Sequence, residues 1–202
     1  MAWALAAFAA LAYLLGGEAL GAWAPLLKAM PVSVLAALVF HAVPRMERRL
    51  TAFGLLIAAL ADAIIEFSFV GGLGAFLLAH LFYIAAFTRV EPRGRVLRLL
   101  PVATWAAVAL PVLVSHAGPL RIPVLVYGLV IFTMIWRAAA AVSITGWNPG
   151  TMGLAGAILF GCSDTLLGYT RFVEPVQGSR FLVLGTYWLG QALIARSFLL
   201  AR

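Results

Sequence analysis

The chain has 202 residues, 64% hydrophobic and 10% charged, where a soluble domain carries about 25% charged residues. With a mean hydropathy of +1.06, this excludes a water-soluble packing arrangement and leaves a single integral membrane domain over residues 1–202. The net charge of +7 rests on thirteen Arg and one Lys; these cluster in short loops between apolar segments, so they read as topology signals and contacts to anionic lipid, not as nucleic-acid ligands.

The single cysteine, Cys162, rules out an intramolecular disulfide and a thiolate metal cluster. The N-terminal apolar run lacks a basic start and continues into the body of the chain, so it reads as a first helix and not as a cleaved leader. The expected architecture is all-α: a polytopic membrane helix bundle of about eight transmembrane helices. Apolar segments fall at Ala2–Trp23, Met30–Val43, Thr51–Phe67, Leu73–Phe87, Leu97–Ser115, Ile122–Ile144, Met152–Tyr169 and Arg180–Ala201. Several fall short of the ~20 residues that cross a bilayer core, so flanking residues must snorkel or the bilayer must thin. Turn chemistry marks the breaks: Pro44-Arg45, Gly71-Gly72, Glu91-Pro92-Arg93-Gly94 and Trp147-Asn148-Pro149-Gly150, since Pro cannot extend a helix and Gly admits turn geometry.

Loops on the N-terminal side hold Arg45, Arg48, Arg49, Arg89, Arg93 and Arg95, with Arg202 at the end, against Lys28, Arg121, Arg171 and Arg180 opposite. By the positive-inside rule both termini are cytoplasmic, as in a multi-pass protein of a bacterial inner membrane. Asp62-Ala-Ile-Ile-Glu-Phe67 weakly echoes Asp164-Thr-Leu-Leu-Gly-Tyr169, and each aspartate precedes a tyrosine in the next helix, Tyr83 and Tyr187. The spacing is compatible with a four-plus-four duplication.

Asp62 and Asp164 are the residues that demand a reason. A carboxylate at the bilayer centre costs roughly 3 kcal/mol on insertion scales. Both lie on outward-running helices, ~17 and ~18 Å along them, so they can share a depth. His80 lies ~11 Å along the returning fourth helix, with Tyr83 on the same side one turn later. Tyr187 and Gln191 form another polar stripe at i, i+4. Glu66 shares the face of Asp62 nearer the boundary, where an ordinary interfacial carboxylate is the plainer reading. For Ser163 the plainer reading is back-bonding to the preceding turn; for the tyrosines it is packing, and for His80 a satisfied interhelical contact. His41 and His116 sit at helix ends, which argues against a three-histidine metal site. The sequence holds no GxSxG elbow, no HExxH and no phosphate-cradling glycine loop. Cys162 has no histidine in its own segment to activate it.

Gly74-Ala-Phe-Leu-Leu-Ala-His-Leu-Phe-Tyr83 resembles the fourth-helix signature of the YhhN-type lysoplasmalogenase family. Ser163-Asp164, Thr186-Tyr187 and Gln191-Ala-Leu-Ile194 resemble its last two helices. Lys28 with Pro31, Asp62, and Tyr127 with Met134 fall where that pattern expects them. The resemblance runs from Lys28 to Ser197. It departs where Ala61 replaces the usual Gly before the first aspartate, and where Lys28 and Pro31 are separated instead of adjacent.

The resemblance implies hydrolysis of the vinyl ether bond of lysoplasmalogens to a fatty aldehyde and glycerophosphoethanolamine or glycerophosphocholine. The partners would be the lysophospholipid and membrane lipid, with no cofactor and no metal. Vinyl ethers hydrolyse under acid, through protonation of the alkenyl carbon and addition of water to the resulting oxocarbenium ion. Such a site needs a proton donor, a stabiliser of positive charge and a base. Two carboxyl groups in different protonation states supply all three, by the logic of glycosidase pairs. Asp62 and Asp164 take these roles in an order left open. Lys28 is placed to meet the phosphate; His80, Tyr83, Tyr127, Ser163, Tyr187 and Gln191 orient the carboxyls or the lipid. The rival reading is a proton-coupled carrier, which also uses paired intramembrane carboxylates.

Overall fold

The computed structural model describes residues 2–42, 44–142 and 148–201, and every regular element among them is helical. The eight α-helices are α1 (Ala2–Gly16), α2 (Ala24–Phe40), α3 (Met46–Ile64), α4 (Phe69–Val90), α5 (Leu99–His116), α6 (Arg121–Ala140), α7 (Pro149–Phe172) and α8 (Ser179–Leu200). Six spans are long and apolar enough to cross a membrane. Of the other two, α1 has 15 residues, and α3 carries Glu47, Arg48, Arg49 and Asp62 along its length. Large apolar side chains such as Phe8, Leu15, Phe67 and Leu97 are exposed around the outside, whereas much of the interior is alanine and glycine. That inversion suits a bundle solvated by lipid, where small residues let helices approach.

Helix ends differ from the sequence expectation where local capping decides them. The first segment stops at Gly16 and continues as a tight 3₁₀ stretch to Trp23, kinked at Gly21, whose φ of 47° is a glycine conformation. Helix α2 starts at Ala24, with Pro25 in its first turn and Pro31 inside it. Helix α3 starts at Met46 and ends at Ile64, not Phe67. The Gly71-Gly72 pair is not a break but lies in the first turn of α4. The break falls earlier, where the Ser68 hydroxyl accepts from the Gly71 N–H and caps the helix. A Cβ on Gly72 would stand 2.5 Å from Cβ of Ile65, so this glycine lets α4 turn back against the end of α3. Helix α7 begins at Pro149, capped by a reciprocal Asn148–Thr151 box. The end drawn at Val43, the tail of the sixth segment through Ile144, and Trp147 and Arg202 lie outside the described residues.

One end of the bundle is tied by arginines. The last carbonyls of a helix have no N–H partner within it and carry the negative end of its dipole. Arg48, in the first turn of α3, donates to the carbonyls of Phe198 at 2.8 Å, Leu199 at 3.3 Å and Ala201 at 2.7 Å. Arg98 donates to the carbonyls of Ala139, Ala140 and Val142 at the end of α6, at 2.5, 3.3 and 2.7 Å. Arg137 on α6 donates to the carbonyl of Glu91 and, at 3.0 Å, to the Thr88 hydroxyl at the end of α4. The Glu91 side chain organises the following loop: it accepts from the Arg93 N–H and pairs with Arg95 at 3.0 Å, contacts that hold its carboxyl below the usual range.

The opposite end is looser and polar, and α7 and α8 reach it as a tightly packed hairpin. A Cβ on Gly156 would lie 2.7 Å from the Gly190 carbonyl oxygen and 2.8 Å from the Ile194 nitrogen. Backbone cannot yield as a side-chain tip does, so Gly156→Ala should force the helices apart at a cost of about 1–3 kcal/mol. Gly74, whose added Cβ meets nothing within 4 Å, is the control. Thermal unfolding in detergent should show a lower Tm for Gly156→Ala and an equal or higher one for Gly74→Ala.

Candidate active site

Asp62 stands in the last turn of α3, roughly 24 Å from the helix start, and Asp164 is roughly 22 Å along α7. Both lie farther along their helices than the sequence placed them, because both helices begin earlier. The shared depth survives, and both carboxyl groups border one cavity of about 230 Å³. Lys28, Glu66, Ser163, Arg171 and Tyr187 line it too. The cavity widens into a vestibule of about 510 Å³ through Lys28, Glu66, Leu167, Val183 and Leu184, with Arg180 on its wall.

Each aspartate is held by a tyrosine from another helix. The Tyr187 hydroxyl on α8 donates to Oδ2 of Asp62 at 2.7 Å. The Tyr127 hydroxyl on α6 donates to Oδ2 of Asp164. Asp62 is 1% exposed, while Asp164 is only partly buried. The tyrosine following each aspartate in sequence is therefore not the one that serves it. Tyr83 instead donates to Oε1 of Gln191 at 2.8 Å in a pair buried behind the cavity. The Tyr187–Gln191 stripe thus splits: its first member faces the cavity and its second braces α4 against α8.

Lys28 sits one turn into α2. Its Nζ is 2.5 Å from Oε1 of Glu66 in the turn after α3. Glu66 is exposed, as an interfacial carboxylate would be, and at the same time lines the cavity. The proline at 31 supplies no N–H for the carbonyl four residues earlier, a gap next to the turn that carries Lys28. Ser163 does not bond back to its own helix; its hydroxyl donates at 2.8 Å to the Val183 carbonyl on α8.

His80 is fully buried but is not among the residues that line the cavity. It packs edge-on to Tyr83, Tyr127 and Phe160, with ring centroids 6.4, 5.4 and 4.7 Å away. Neither ring nitrogen has a well-aligned hydrogen-bond partner, beyond a loose approach to the Phe76 carbonyl one turn earlier. Phe160 also meets Tyr187 at 5.2 Å and Phe76 at 6.2 Å. His80 is thus part of an aromatic wall that fixes both aspartate-bound tyrosines. His41 and His116 sit exposed at the ends of α2 and α5, and Cys162 is exposed on α7.

Two cations of this site, Arg171 and Arg180, entered the sequence reading only as topology charges. Arg171 lines the cavity and lies over the Phe69 ring at 5.1 Å. Arg180 lies over the Tyr13 ring at 5.0 Å and donates to the Tyr13 carbonyl at 3.2 Å. The signal for Arg171 was its spacing: it follows Asp164 by two helical turns, as Leu167 follows it by one, so the three share a face.

The cavity thus brings a cationic rim, two carboxyl groups and hydroxyl donors to one volume inside a lipid-embedded bundle. Comparison with known proteins places the chain in a family. Residues 23–198 match the YhhN family. The chain is similar to human lysoplasmalogenase TMEM86B, with 31% identity over 183 residues, 88% of this chain and 76% of that one. It is similar to the pig lysoplasmalogenase TMEM86B at 36% identity, over 71% of this chain and 60% of that one. It is also similar to the lysoplasmalogenase of Mycobacterium bovis at 32% identity, over 86% of this chain and 69% of that one. No solved structure matches it. With the match running from the start of α2 nearly to the end of α8, the chain belongs to the YhhN family.

Proposed function

We propose that the protein hydrolyses the vinyl ether bond of lysoplasmalogens, releasing a fatty aldehyde and a glycerophospho-base. The observation that carries the reading is the pair of aspartates opening onto one cavity, each oriented by a tyrosine from another helix. The named relatives, lysoplasmalogenases, supply the substrate class. They also leave the proton-coupled carrier without support.

The reaction begins when a carboxylic acid protonates the alkenyl carbon and the ether oxygen shares the positive charge. A neighbouring carboxylate stabilises that cation and takes a proton from the water that adds to it. Collapse of the hemiacetal returns both carboxyl groups to their starting states. Two carboxyl groups on one cavity suit this cycle because mutual repulsion favours sharing a single negative charge. Tyr127 and Tyr187 hold the carboxyls in register. Lys28 and Arg171 meet the phosphate at the cavity rim, with Lys28 exchanging Glu66 for it.

The positive-inside bias puts both termini and the arginine-tied end of the bundle in the cytoplasm of a bacterial inner membrane. The cavity then opens toward the other side.

Asp62→Asn and Asp164→Asn should each lower kcat by about 10²–10⁴-fold, the range for loss of a general acid or base, while the protein stays folded by thermal unfolding in detergent. Aldehyde release from purified protein, assayed on alkenyl, acyl and alkyl lysolipids, should occur with the alkenyl lipids alone. Near-wild-type rates in both Asn variants would end the mechanism. Lys28→Ala should raise KM by about tenfold, the equivalent of one charge-assisted contact, with little change in kcat. An unchanged KM would remove Lys28 from the phosphate site and leave the aspartates untouched.

A further inference from the structure

Asp164 differs from Asp62 in one respect: it borders two spaces. Besides the polar cavity it closes the inner end of a narrow apolar groove of about 60 Å³ between α4, α5, α6 and α7. Leu73, Leu113, Gly128, Phe132, Leu167 and Gly168 are among its walls, and Tyr127 stands beside Asp164 at its polar end. Asp62 lines the polar cavity and is not among the residues of the groove.

The packing of the bundle is interrupted at this groove. Leu113, Ala117 and Val124, at the ends of α5 and α6 near the cavity, form a small apolar cluster apart from the main core. Leu113 and Val124 face the groove from that cluster; Phe76 and Ile131 face it from the main core. A seam lined by apolar side chains from two separate clusters, with an acid at one end, is the shape of a site for a hydrocarbon chain that carries a reactive head.

We propose that this groove takes the first few carbons of the alkenyl chain of the lysolipid, as many as its volume of about 60 Å³ admits, while the glycerophospho head lies toward Lys28 and Arg171. The inference rests on the vinyl ether reading above and adds a direction to it. In an alkenyl ether the carbon that accepts the proton is the one further from the oxygen, on the chain side. The carbon that water attacks is bonded to the oxygen, on the head side. A chain in the groove therefore sets the first carbon against Asp164 and the second against the cavity bordered by Asp62.

The steps then balance. The Asp164 carboxyl gives its proton to the chain-side carbon as the double bond opens, and an oxygen lone pair forms the oxocarbenium ion. Water adds to the head-side carbon and loses a proton to the Asp62 carboxylate. The hemiacetal hydroxyl then returns a proton to Asp164, the bond to the glycerol oxygen breaks, and that oxygen takes the proton from Asp62. One water is consumed, and both carboxyl groups end as they began. The groups facing Asp164 are Tyr127 from α6, Lys28 from α2, Asp62 and Glu66 from α3 and its following turn, Tyr187 from α8 and Arg171 on its own helix.

Gly168 reads the length of the chain. A Cβ there would reach Leu113 Cδ1 at 3.2 Å, so a leucine side chain at this position fills the groove. Gly168 lies about 6 Å along α7 from Asp164, so hydrolysis of a hexadecenyl lysolipid by Gly168→Leu should fall by about tenfold or more relative to a propenyl one, whose chain stops short of it, in line with the sensitivity of apolar pockets to a few methylenes. Gly168→Ala should show a smaller shift in the same direction. An equal loss on both chain lengths in the folded alanine and leucine variants would overturn the chain site. Absence of aldehyde from any alkenyl lysolipid with the wild-type protein would instead overturn the parent reading. The donor assignment has its own readout. Residual hydrolysis by Asp164→Asn should rise about tenfold per unit fall in pH, as hydronium replaces the lost acid, whereas that by Asp62→Asn should not. The reverse pattern would exchange the two roles.

Discussion

A carboxyl group inside a lipid-embedded bundle meets water only where a cavity reaches it, so a lasting hydrogen-bond donor has to come from another part of the protein. Asp62 finds its donor 125 residues away on the last helix, and Asp164 finds its donor on α6. These two bonds stitch α3 to α8 and α7 to α6 at one depth. The aromatic wall of Phe76, His80 and Phe160 exists on their account, since each ring touches at least one of the two tyrosines. The small residues follow in turn: only glycines at 156 and 190 let α7 and α8 lie close enough for Ser163 to reach the Val183 carbonyl.

The two ends of the bundle solve opposite problems. At one, arginines spend their charge on helix carbonyls that would otherwise lack donors, and such charge-assisted bonds contribute about 1.5–3 kcal/mol each. At the other, Lys28, Arg171 and Arg180 are turned toward cavities or laid on aromatic faces, with one ion pair, Lys28–Glu66, across the neck. A firmly tied end and a polar, partly open end let a site near one boundary take up a ligand without loosening the whole.

Much of this was legible in the sequence for a plain reason: hydrocarbon makes polar residues conspicuous. Asp62, Asp164 and Lys28 stood out against apolar surroundings, and the depth argument brought the two aspartates to one level even though both helices began earlier than the hydrophobic runs implied. Partnership was not legible. Each aspartate precedes a tyrosine in the next helix, but hairpin order says nothing about which of several neighbouring helices a side chain faces, and the bonds run to Tyr187 for Asp62 and Tyr127 for Asp164. Arginine was the other blind spot. Arg48 and Arg171 look alike as loop charges and Arg98 and Arg137 sit inside apolar segments, yet Arg48, Arg98 and Arg137 bind carbonyls and Arg171 lines the cavity, because a guanidinium's role depends on what the fold brings within its reach. Gly71-Gly72 misled for a similar reason: the same residue type ends a helix or admits a close neighbour, and Ile65 decided the matter.

The bond from Tyr187 to Asp62 has a consequence for how the protein is made. Lys28 and Asp62 leave the ribosome early, Tyr127 and Asp164 later, and Tyr187 with the final helix. A partly synthesised chain already threaded into the membrane carries the early aspartate without its partner. Only insertion of α8 supplies the missing hydroxyl and closes the wall behind it. The hydrogen bond on Asp62 is thus among the late contacts of the bundle, and a chain cut before α8 lacks it.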